Sequence, residues 1–176
     1  ITVASTANLD YETTTSYTLS IIAYNAQSSD VADVTINIVD ANDAPSAGND
    51  ATGALTEDAS TSTVTGTITG TDQDGDTLTY SGATTGTYGA IALSGATWTY
   101  TLDNSDADTT ALDAGDTATD SFTMTVSDGT ASDTMTVTIT ITGADDATSA
   151  GPDQTGSVTE DASPSTVTGT VATVEP

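Results

Sequence analysis

The only charged side chains in this sequence are carboxylates, 26 Asp and Glu against no Lys, Arg or His, and they are gathered rather than scattered. One cluster is Leu9-Asp10-Tyr11-Glu12 and a second is Asp40-Ala41-Asn42-Asp43-Ala44-Pro45. A third is Asp72-Gln73-Asp74-Gly75-Asp76, with Glu57-Asp58 upstream and Asp128-Gly129 downstream, and a later pair is Asp145-Asp146. At a formal charge of −26, like charges repel within the compact state unless something external neutralises them. Two neutralisers fit. Salt can screen a solvated surface over a Debye length of about 8 Å, or the clusters can hold divalent cations. Oxygen donors without His or Cys select Ca2+ or Mg2+ over zinc, copper or iron. Calcium takes roughly six to eight oxygens, which several acidic loops meeting at one end of a domain can supply.

The same absences exclude other chemistry. Without Lys or Arg, phosphate backbones and anionic membranes find no cationic contact, so nucleic acid is not an expected partner. Without His, Cys, Lys or Arg, most nucleophilic, acid–base and phosphoryl-transfer arrangements are out of reach. Catalysis by two positioned acids remains formally open, but acidic pairs between strands are no sign of a cleft, and the chain is expected not to be an enzyme. No apolar run approaches the roughly 18 to 20 residues that span a bilayer. Counting from Asp72, an EF-hand would need Gly and Glu where Thr77 and Ala83 stand. Tight turns are the competing explanation for any Asp between strands; for Asp76, Asp106, Asp113 and Asp116, turn and ligand remain equally good readings.

The elements that must position these carboxylates repeat. Residues Ala47 to Thr67 reappear at Ala150 to Thr170, an offset of 103 that also carries Val34–Ile38 onto Val137–Ile141. One whole repeat therefore occupies 44–146, with the C-terminal part of another at 1–43 and the N-terminal part of a third at 147–176. Residues 1–43 should supply the final three strands of their own sandwich. Within the whole repeat, seven strands are expected at Thr52–Thr56, Ser62–Thr69, Thr77–Ser81, Ala90–Leu93, Thr97–Leu102, Asp120–Ser127 and Thr134–Thr142. Apolar residues alternate with Thr in these segments, as in Trp98, Tyr100 and Leu102 or Val137, Ile139 and Ile141. That is the period of a sheet with one buried face, and it argues against disorder despite the high charge. It also makes Trp98 and Tyr100 core residues rather than an exposed platform for stacking sugars. Thr110–Gly115 is read as one helical turn. The expected fold is all-β: tandem immunoglobulin-like β-sandwich repeats of Greek-key topology.

LDYE, the Tyr-x-Leu-x-Ile-x-Ala strand after it and the Ile-x-Ile-x-Asp strand running into DANDAP together resemble the second half of a cadherin repeat. TEDAS, TDQDGDTLTY, YTLDN and FTMTVSDGTASDTMTVTIT resemble the VCBS or cadherin-like repeats of large RTX-type bacterial adhesins. The resemblance implies calcium at a first junction, held by Asp10 and Glu12, by Asp40, Asn42 and Asp43 of the linker, by Asp72 and Asp74, and by Asp128. It implies that Glu57 serves a second junction with Asp145 and Asp146. The chain also departs from the pattern in three places. The second linker, Gly143-Ala144-Asp145-Asp146-Ala147-Thr148, lacks the leading Asp and the Pro; LDNSDAD at 102–108 stands where LDxE is expected; and Glu175 stands where Asp72 would recur.

The expected function is that of a calcium-stiffened spacer in an extracellular, surface-attached adhesin or filament, its partners being neighbouring repeats of the same long chain. The competing reading is a glycan- or protein-binding adhesion module using the loop Gly82–Gly89. The ends are read as a window on a longer array, which makes the isolated chain monomeric. The alternative is strand exchange between copies into a filament.

Overall fold

The computed structural model describes residues 2–4 and 9–146, and beyond these 149–150, 153, 155–161, 163, 166–170 and 173–174. Alternation of apolar and polar residues is strongest where the chain is extended for longest. In β10 (Thr117–Ser127) and β11 (Ser132–Thr142), Phe122, Met124, Val126, Met135, Val137, Ile139 and Ile141 are buried, while Thr117, Thr119 and Thr123 lie exposed on the opposite face. β10 and β11 pair antiparallel from Thr117↔Thr142 to Ser127↔Ser132.

Two layers enclose the core. One is a four-stranded sheet in the order β4 (Ala51–Thr56), β11, β10, β7 (Thr79–Gly82); the other is three-stranded, β5 (Thr63–Thr67), β9 (Thr97–Leu102), β8 (Gly89–Ser94). β4 runs parallel to β11, and the other pairings within these two sheets are antiparallel. β7 and β10 are neighbours in one sheet while the hairpin β8–β9 between them in sequence lies in the other, which is the Greek-key crossover. A short pair, β3 (Ser46–Ala47) with β6 (Gly70–Thr71), closes the end where the chain enters. Each of the seven expected segments overlaps a strand, and β3 and β6 bring the strands of this repeat to nine. The expected helical turn at Thr110–Gly115 is not a helix. Thr110 N–H donates to the Asp106 carbonyl, and tight turns follow at Thr109–Leu112 and Asp113–Asp116, where Asp and Gly favour turns over a helix.

Trp98, Tyr100, Phe122, Met124, Val126, Val137, Ile139 and Ile141 are each 1% exposed or less. Burying an aliphatic or aromatic side chain of this size contributes about 1.5–3 kcal/mol. Trp98 and Tyr100 are thus core, and Tyr100 packs on Phe122 at a ring-centroid distance of 5.8 Å. Asp120, 3% exposed, is drawn in with them. Its carboxylate accepts from Tyr100 Oη at 2.7 Å, Thr87 N at 2.7 Å and Tyr88 N at 3.1 Å, so it ties the two sheets and the β7–β8 loop together. Burial first, and the Asp120 carboxylate second, push the Tyr100 phenol far above its ordinary range.

Ahead of the sandwich, β1 (Ser16–Tyr24) and β2 (Ser29–Asn37) form an antiparallel hairpin whose register, Ser16↔Asn37, recurs 103 positions later as Thr119↔Thr140. Where three strands are expected from residues 1–43, two are present among the described residues. Beyond the sandwich, β12 (Ser149–Ala150) pairs with β13 (Thr173–Val174) in the register of β3–β6 at the same offset.

Candidate calcium junctions

The first junction forms where the hairpin runs into the sandwich. Asp10 begins a turn: its carboxylate accepts from Thr13 N at 3.1 Å and Thr13 Oγ1 at 2.8 Å. The Thr13 hydroxyl is the main reason that its pKa is lowered, and the Gln73 side chain adds to this, which sets Asp10 beside the Asp72–Asp76 loop. Glu12 is raised, first by desolvation and then by the Asp40 and Asp74 carboxylates, against a lowering backbone hydrogen bond. Carboxylate oxygens of Glu12, Asp43 and Asp74 lie within 4.8 Å of one another, as do those of Asp72, Asp74 and Asp76.

Hydrogen bonds lock the linker onto the sandwich. Asp43 N donates to Asp74 Oδ2 at 2.7 Å, and Asn42 Nδ2 donates to Asp128 Oδ2 at 3.1 Å and to the Asp43 carbonyl at 2.8 Å. Asp128 lies at the start of the β10–β11 turn, where the Ala131 and Thr130 backbone N–H groups, and then Asn42, lower its pKa. Asp72 Oδ1 accepts from Asp74 N at 3.0 Å and Asp76 N at 3.2 Å, which shapes the loop. Asp72 Oδ2 and Asp74 Oδ1 are buried with no hydrogen-bond partner. Two orphaned anionic oxygens, in a chain without a cation, are what a hard divalent ion fits. The structure therefore brings together Asp10, Glu12, Asp40, Asn42, Asp43, Asp72, Asp74 and Asp128, and adds Asp76.

At the other end, Glu57 is buried, and its Oε1 accepts from Ala144 N at 2.6 Å. Asp146 is raised, first by desolvation, then by Asp58 and Asp113. Asp145 is exposed. Asp58 is not among the expected ligands and Asp113 is open between turn and ligand, and the offset of 103 puts Leu112-Asp113 on Leu9-Asp10. The position of LDxE is accordingly corrected to Leu112-Asp113. In the 102–108 segment, Asp103 and Asp106 accept from Ser105 and Asp108 of their own turns. Thr148 and Glu175 lie outside the described residues.

A family model described as bacterial cadherin-like domain matches residues 42–143. No curated protein sequence matches the chain. Among solved structures, the endo-fucoidan hydrolase MfFcnA4 of glycoside hydrolase family 107 is similar at TM-score 0.39 and 21% identity, over 73% of this chain and 19% of that one. Human protocadherin-24 EC1-2 is similar at TM-score 0.48 and 14% identity, over 79% and 70%. Protocadherin gamma B2 cadherin domains 1–5 reach TM-score 0.52 at 21% identity, over 82% and 28%, a likeness of fold. The chain thus spans about a fifth of the hydrolase's length.

Proposed function

The chain belongs to the bacterial cadherin-like domain family, and on that footing we propose that it is a calcium-stiffened extender segment of a secreted bacterial adhesin or extracellular filament. Domains of this family point to an extracellular adhesion or structural module. The finer reading divides the chain into 1–43, 44–146 and 147–176, parts of successive repeats in a longer RTX-type array. No helix among the described residues is long and apolar enough to cross a membrane.

One observation carries the proposal: linker and hairpin carboxylates converge on Asp72 and Asp74, whose orphaned oxygens have no protein cation to meet. Carboxylates this close repel one another, and the repulsion grows as the surrounding dielectric falls below that of water. A bound Ca2+ reverses that sign, using Asp10, Glu12, Asp40, Asn42, Asp43, Asp72, Asp74 and Asp128 at the first junction and Glu57, Asp145 and Asp146 at the second. The test is thermal unfolding in calcium and in chelator at matched ionic strength. An ion at about 100 times its Kd stabilises by about 2.7 kcal/mol, and magnesium, which holds its waters and needs a small octahedral site, should substitute poorly. Superimposable melts in calcium and chelator would overturn the reading.

A further inference from the structure

The outer face of the long hairpin of the sandwich is clad in hydroxyls. Every outward position of β10 and β11 is Thr or Ser, and none carries charge. β1 and β2 repeat this hairpin at the offset of 103, and their inward residues Leu19 and Ile21 fall on the core residues Phe122 and Met124. The outward residues break the pattern. Ile22, Tyr24 and Val31 stand where Thr125, Ser127 and Thr134 do, on the face that strand alternation turns away from the core. They are 59%, 82% and 58% exposed, and Tyr24 is the most exposed aromatic among the described residues. Ile22 faces Val31 across the strands, and Tyr24 faces Ser29. The next outward pair is Ser20 with Asp33, whose carboxylate accepts from Ser20 Oγ at 2.6 Å. An apolar platform thus adjoins a carboxylate whose orientation is fixed.

We propose that this strip, Tyr24, Ile22 and Val31 with Ser20 and Asp33, binds a neutral polysaccharide chain, so that the segment carries a glycan-binding surface as well as acting as a spacer. A pyranose ring has an apolar C–H face and a rim of hydroxyls. The Tyr24 ring and the Ile22–Val31 pair offer a platform to the first, while Asp33, Ser20 and Ser29 supply acceptors and donors to the second. Other occupants fit worse. A second copy would set its own Asp33 and its charge of −26 against this one, with no Lys or Arg on either side, and an anionic glycan meets the same repulsion. A folded protein partner needs about 800 Å² of each surface, whereas three side chains expose only roughly a few hundred. The site does not draw on calcium.

The test is an NMR titration of the 176-residue chain with cellohexaose, xylohexaose and mannohexaose, and with hexagalacturonate as the acidic control. At least one neutral chain should shift the amides of Ile22, Tyr24, Val31 and Asp33 at millimolar concentration, and the acidic chain should not. Tyr24→Ser should weaken binding about tenfold, and Ile22→Thr with Val31→Thr about as much, while melting of the sandwich followed by Trp98 stays unchanged. The reverse graft, Thr125→Ile, Ser127→Tyr, Thr134→Val and Thr136→Asp, should give the sandwich a second site of the same preference. No shift of these amides in the parent with any neutral chain overturns the proposal, whatever the graft does. Equal binding of hexagalacturonate overturns the choice of a neutral ligand. Shifts of the same amides that follow protein concentration without sugar overturn it in favour of a second copy.

Discussion

Tyr100→Phe deletes one hydroxyl from the core and leaves its shape intact. In the parent, that hydroxyl donates to Asp120 at 2.7 Å, beside the Thr87 and Tyr88 N–H groups. A hydrogen bond to a charged acceptor contributes about 1.5–3 kcal/mol, so the variant should lose about 2 kcal/mol, or roughly 8–16 °C of Tm for a domain of this size. Asp120→Ala should cost more, about 4 kcal/mol, because it strands the buried Tyr100 hydroxyl and two part-buried backbone N–H donors at once. The double variant should be little worse than Asp120→Ala alone, because both remove the same bond. Urea unfolding followed by Trp98, the sole tryptophan, at fixed excess calcium gives all three values. A Tyr100→Phe variant within about 0.5 kcal/mol of the parent, or strictly additive losses, would refute the clamp.

With no Lys or Arg in 1–176, trypsin should yield no internal fragment even in urea plus chelator; gel and mass analysis check it. Asp43→Ala removes a carboxylate that meets Glu12 and Asp74, so small-angle scattering in calcium should show a shorter, more flexible particle, with an unchanged maximum dimension counting against the assignment. Asp133 is held below its ordinary pKa, chiefly by the Ala47 N–H and then by Thr134. A carboxylate lowered in the folded state adds stability above its unfolded pKa, which is lost as pH falls through the folded one. Asp133→Asn should therefore flatten the stability curve below about pH 4, and parallel curves for parent and variant would disprove it.

The sandwich was legible because its strands alternate strictly: the spacing of Phe122, Met124 and Val126 alone places them on one face. The acidic loops were legible because carboxylates crowd into short segments without cations, while grouping them into one junction came from the resemblance to cadherin repeats. Asp120 was not, because a lone Asp at a strand start looks exposed, and only the fold brings Tyr100 and the β7–β8 loop to it. Asp113 stayed open between turn and ligand because LDNSDAD imitates the motif nearby, whereas the repeat offset singles out Leu112-Asp113. β3 and β6 are two residues each, too short for any period to show.

The parallel pairing of β4 with β11 has a mechanical consequence. The repeat's chain enters beside Ala51, which faces Val137, and leaves beyond Thr142, which faces Thr56. Tension applied through the two ends therefore pulls these strands past each other lengthwise. The ladder from Val137↔Ala51 to Thr142↔Thr56 is loaded all at once instead of being peeled open from one end. In the extender role proposed above, tension along the chain would fall on this strand pair, which is built from the first and last long strands of the domain.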